Sequence, residues 1–121
     1  MTAPQISIET LPEFLGRQQG LYAFSYTITM RNDSQQTVTL EDRHWIITHG
    51  DGHTEEVRGP GVVGEFPTLA PGQAFRYTSG AVLRTAFGSM RGSYGFRVEG
   101  GERFRAPIGE FVLNADDGGL H

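Results

Sequence analysis

Apolar residues in this chain recur at every second position far more often than at every third or fourth. The clearest run is Leu21 to Met30. Tyr22, Phe24, Tyr26, Ile28 and Met30 fall on one side, and Ala23, Ser25, Thr27 and Thr29 on the other. That alternation marks a half-buried strand. Ile6 to Glu9 alternates in the same way and predicts a short first strand, which Pro12 either ends or places at an edge. Polar turns are expected at Arg17-Gln18-Gln19-Gly20 and Asn32-Asp33-Ser34. Val38 to Leu40 and Arg43 to Thr48 predict a third and a fourth strand. His49-Gly50-Asp51-Gly52-His53 reads as a hairpin turn, with Thr54 to Val57 returning from it.

Phe75 to Ser79 predicts a further strand. Phe87 to Gly92 reads as a crossover. Ser93 to Val98 and Arg103 to Pro107 flank the hairpin signal Glu99-Gly100-Gly101-Glu102, and Phe111 to Leu113 closes the series. The acidic, Gly-rich stretch Asn114 to His121 is expected to fray. No segment sustains a 3.6-residue apolar period. About seven to nine short strands at this spacing imply an all-β, antiparallel β-sandwich. At 121 residues, with no linker or internal repeat, the chain reads as one domain over 1–121 with its core in about 6–113.

Composition narrows the function classes. A charged share of 20% and a hydrophobic share of 37% suit a globular chain. Seventeen scattered glycines fit many turns. The net charge of −4 gives no global basic footprint, so nucleic acid is not an expected partner. All basic residues are Arg, which makes planar, bidentate contacts with carboxylates and phosphates. With no Cys, disulfides, thiolate metal sites and a Cys nucleophile are excluded. No apolar run is long enough for a membrane-spanning helix and no signal peptide is visible, so a cytoplasmic protein is expected.

The segment with most chemical suggestion is Gly59-Pro60-Gly61-Val62-Val63-Gly64. It matches G-x-G-x-x-G, but a dinucleotide site needs a helix directly after the glycines. Pro67 and Pro71 follow instead, and two prolines so placed forbid an ordinary helix. Two readings remain. Amides of Gly61, Val62, Val63 and Gly64 form a weak phosphate nest, aided by Arg43, Arg58 or Arg91. Alternatively the segment is a connector in which Val62 and Val63 plug the end of the sandwich.

Other candidates are thinner. Trp45 is expected in the core, with His44 facing the other way and Arg43 on the Trp45 side. His49, Asp51 and His53 offer two imidazoles and a carboxylate in five residues, a set that suits zinc, cobalt or nickel. Hairpin turns also favour Gly and Asp for backbone reasons alone. Ser79 has neither a nucleophile elbow nor a marked His–Asp pair, so the chain is not expected to be an enzyme. Phe66 and Phe87, flanking the glycine segment, are the residues expected to touch a protein partner. A free sheet edge also allows a homodimer.

Five segments occur in a familiar order: Phe24-x-Tyr26-x-Ile28, Arg43-His44-Trp45-x-Ile47, Gly59-x-Gly61-Val62-Val63-Gly64, Tyr77-Thr78-Ser79-Gly80 and Gly88-x-Met90-x-Gly92-x-Tyr94. Together they resemble the ApaG family (the DUF525 domain) from about Ile6 to Leu113. The resemblance implies an immunoglobulin- or fibronectin-III-like sandwich. It implies an association with diadenosine tetraphosphate hydrolase and with cobalt and magnesium efflux. It also implies a partner-binding role, since related domains are fused to other interaction proteins. It supplies no catalytic residues and no cofactor.

Overall fold

Strand β3, Val38–His49, runs through the middle of the larger of two sheets, and the rest of the chain is arranged about it. The computed structural model describes residues 4–115. Its other strands are β1 (Ile6–Gln18), β2 (Leu21–Asn32), β4 (Thr54–Pro60), β5 (Thr68–Leu69), β6 (Ala74–Leu83), β7 (Phe87–Val98) and β8 (Arg103–Asn114). One sheet has the order β1-β2-β6, and the other β4-β3-β7-β8 with β5 also paired to β3. All pairings are antiparallel. Their inner faces share one apolar core, so the expected fibronectin-III-like sandwich is what the chain forms. Among the described residues no helix is long and apolar enough to cross a membrane.

The strands are fewer and longer than the sequence pattern suggests. β1 continues through Pro12 to Gln18, because at a sheet edge the missing N–H removes no ladder bond. The expected third and fourth strands are one strand. Phe87 to Gly92 is not a crossover but the first half of β7, and residues 103–107 and 111–113 belong to a single β8. Each such break coincides with an irregularity: the register shifts between Leu40 and Asp42, and between Met90 and Gly92. Asn114 ends β8 rather than starting a frayed tail, and residues 116–121 of that expected tail lie outside the described residues.

The bulge at Glu41 reverses which residues point inward. Val38 and Leu40 are buried before it, and Trp45, Ile47 and His49 after it. Trp45 is 2% exposed. Its ring meets Tyr26, Tyr94 and Phe111 edge-on or tilted at centroid distances of 5.3, 6.1 and 6.0 Å, the geometry aromatic quadrupoles favour. Beside it the hydroxyls of Tyr77 and Tyr94 bond to each other across the two sheets at 2.5 Å.

Burial holds both tyrosine hydroxyls in the neutral form and raises their pKa above the ordinary value. The folded state therefore keeps two protons that the unfolded chain loses above about pH 10. Stability is intact below that pH and falls as pH rises above it, by about 1.4 kcal/mol per unit for each tyrosine. Urea melts between pH 9 and 12 should show this decline. The double variant Tyr77→Phe, Tyr94→Phe should show a markedly flatter one.

Candidate functional site

At the bulge, β3 changes neighbours. Its C-terminal part pairs with β4, which ends at Pro60, and its N-terminal part with β5, which begins at Thr68. The chain between them makes an excursion and returns. The Gly61 amide donates to the Glu41 carbonyl at 2.9 Å as the chain leaves, and the Leu40 amide donates to the Pro67 carbonyl at 2.9 Å as it returns. The excursion is a small hairpin. The Val62 and Glu65 amides each bond to the other's carbonyl, at 2.9 and 2.7 Å. The residues between them, Val63 and Gly64, have φ of 43° and 79°. Positive φ at both central positions defines a type I′ turn.

Arg43 holds this hairpin from beneath. Two residues from Trp45 on the same strand, it has the same sense, as expected, and it is half-buried. One guanidinium nitrogen donates to the Pro60 and Gly61 carbonyls at 2.9 and 3.0 Å. Gly59 leaves room for it, since a Cβ there would stand 2.8 Å from the guanidinium. A Cβ on Gly61 would meet the Glu65 carbonyl at 2.5 Å.

This arrangement divides the residues grouped as an anion site. The amides of Gly61 and Val62 already have carbonyl acceptors within the chain, and so does Arg43. Arg58 is exposed on β4, 3.6 Å from Glu56. Arg91 stands opposite Ile46, further along β3, and lines a shallow pocket with His44, Ser93 and Glu110. The structure therefore does not gather Arg43, Arg58 and Arg91 around the loop. His44 faces away from the core, as expected. Its Nε2 is buried without a hydrogen-bond partner among the described residues and lies 3.8 Å from the Glu56 carboxylate.

The two valines part company. Val62 is fully buried and plugs the core, whereas Val63 is 53% exposed and plugs nothing. Phe66 is 54% exposed, with its ring edge beside Gly61. Phe87 is 56% exposed but sits at the far end of β3, over Gly50. Phe66 and Phe87 do not form one patch. Val63 and Phe66 do share the hairpin.

The 49–53 turn is built as a bracket. His49 is 5% exposed. Its Nε2 bonds to Glu55 at 3.0 Å and its Nδ1 accepts the Arg84 amide at 3.1 Å. Asp51 accepts the His53 amide and pairs with Arg84, and these contacts hold its carboxyl below the usual range, the backbone hydrogen bond most of all. Both nitrogens of His49 are thus engaged, and among the described residues no three acidic or imidazole side chains converge as a metal site. Glu41, which no sequence pattern singles out, and Asn32, expected only as part of a polar turn, organise the connections. Asn32 is fully buried and its amide group donates to the Gln36 and Leu69 carbonyls.

A fibronectin-III-like sandwich with an apolar type I′ hairpin at one end belongs to the class of small all-β domains. Comparison with known proteins is more specific. The model for the ApaG domain (DUF525) matches residues 12–98. A Protein ApaG of Acidithiobacillus ferrooxidans is 55% identical over 116 residues, covering 94% of this chain and 91% of that one. One from Azoarcus is 50% identical over 113 residues, covering 90% and 89%. A crystal structure titled as an ApaA protein of Bordetella pertussis superposes with a TM-score of 0.90 at 41% identity, covering 94% of this chain and 96% of that one. The chain belongs to the ApaG (DUF525) family.

An exposed β-branched residue is a poor occupant of the first central position of a type I′ turn, where Asn is favoured. Val63→Asn should raise the unfolding free energy by about 1 kcal/mol, seen as a rise of a few degrees in Tm by calorimetry.

Proposed function

We propose that this protein is a non-catalytic interaction module of the cytoplasm, and that its protein partner engages the 61–66 hairpin through Val63 and Phe66. The observation that carries this reading is Val63. It is apolar, half-exposed and held in a left-handed conformation that β-branched residues avoid. It adds little burial to offset that strain. Backbone strain of this kind gathers at sites of recognition, and an apolar tip beside an exposed phenylalanine suits an apolar recess on another protein. A part in diadenosine polyphosphate or cobalt and magnesium physiology would then be exerted through that partner. The alternative, a weak phosphate or nucleotide site in the same loop, finds less support, because two of its four amides and its nearest Arg already have partners.

Affinity capture from extract of the source cells, with quantitative mass spectrometry, tests the reading. The wild-type chain should retain a protein that Val63→Asn and Phe66→Ser both lose, while Phe87→Ser keeps it. Since Val63→Asn is expected to stabilise the fold, its loss of capture could not be ascribed to unfolding. Undiminished capture by both hairpin variants would rule the surface out.

A further inference from the structure

Besides the two-residue β5, the sandwich has four edge strands among the described residues, and three of them carry features that discourage another strand from joining. β1 has Pro12, a register shift between Phe14 and Gly16, and exposed Glu9 and Glu13. β4 has Glu55, Glu56 and Arg58 and ends in Pro60. β8 has Pro107, a register shift, and exposed Arg103 and Arg105. Proline, bulges and charges are the usual protections of an open edge. β6 has none of the first two. Over Ala74–Leu83 it keeps unbroken register with β2, and its only charge is Arg76.

The orientation of its free backbone groups follows from the ladder. The Asn32 amide donates to the Gln73 carbonyl at 2.9 Å. Alternation in an antiparallel pair then assigns the ladder bonds to Phe75, Tyr77, Ser79, Ala81 and Leu83. The amides and carbonyls of Ala74, Arg76, Thr78, Gly80 and Val82 face the open edge. All five are exposed, and Ala74, Arg76, Thr78 and Val82 turn their side chains to the outer face.

We infer that β6 is a self-association edge, at which a second copy of this chain adds antiparallel about a two-fold axis through Thr78, joining two three-stranded sheets into one of six strands. This register uses every free group from residue 74 to 82. It opposes Arg76 to the partner's Gly80 and Ala74 to the partner's Val82, so no like charges meet. A register centred on Gly80 would instead oppose Arg76 to the partner's Arg84, and one centred on Arg76 would oppose the two arginines directly. Thr27 and Thr78 already share a hydroxyl bond of 2.7 Å on this face. Pairing at Thr78 extends that row of hydroxyls across the axis. The inference is independent of the hairpin's partner, which docks at the bulge end of β3.

A contact confined to one strand edge is small, so the association is weak, with dissociation constants on the order of 10 μM to 1 mM. Sedimentation velocity across that concentration range tests it, with hydrogen exchange at Thr78, Arg76 and Gly80 read alongside. The wild type should pass from monomer to dimer, and those three amides should gain protection as concentration rises. Thr78→Lys keeps the backbone donor but opposes two like charges, and Thr78→Pro removes a donor that β2 does not use. Each should weaken the dimer at least about tenfold, with circular dichroism unchanged. A wild type that stays monomeric at 1 mM, or a dimer that survives both substitutions, would overturn the inference.

Discussion

One extra residue in β3 governs the end of this molecule that carries the 61–66 hairpin. The bulge at Glu41 turns the strand over, so that Val38 and Leu40 reach the core from one parity and Trp45, Ile47 and His49 from the other. Without the turn-over, either the first pair or the second group would face solvent. The same irregularity turns the adjacent Leu40 and Glu41 toward one edge, where one continues the ladder to β5 and the other the ladder to β4. The Glu41 carbonyl and the Leu40 amide take the two ends of the 61–67 excursion. The Glu41 carboxylate meanwhile receives Arg97 at 2.7 Å and Arg103 at 3.0 Å, tying β3 to β7 and β8 on the outer face.

The hairpin is consequently stiff at its base and unfavourable at its apex. Its base is fixed by three kinds of contact: the bulge carbonyl, the paired amides of Val62 and Glu65, and Arg43 beneath two successive carbonyls. Its apex carries an exposed valine in a conformation better suited to asparagine. A frame that stiff can hold such a residue in place. The glycines serve this geometry. Gly59 makes room for a guanidinium and Gly61 for a carbonyl, which explains a nucleotide-like spacing in a chain with no helix to follow it.

The sheet class, the buried face of β2 and the core position of Trp45 were legible in the sequence, because period-two alternation reports burial directly. The hairpin signals at 49–53 and 99–102 were legible for the same local reasons. Strand lengths were not. Glu41 and the residues around Gly109 interrupt the alternation, and a one-residue bulge looks in sequence like the end of one strand and the start of another. The change from even to odd apolar positions between Leu40 and Trp45 was the available signal for the first. The site was legible only in part. The 59–64 spacing marked a loop of unusual backbone, but sequence proximity could not show that Val62 turns inward while Val63 turns out. Nor could it show that Phe87 lies at the opposite end of β3, or that His49 is shared between Glu55 and the Arg84 amide.

The most direct test of this account is amide hydrogen exchange, read residue by residue, across the loop. If the bulge holds the hairpin as described, Gly61 and Val62 exchange slowly, at rates comparable to the β3 ladder, while Val63 and Gly64 exchange fast. Exchange of Gly61 and Val62 at the rate of an open loop would contradict it.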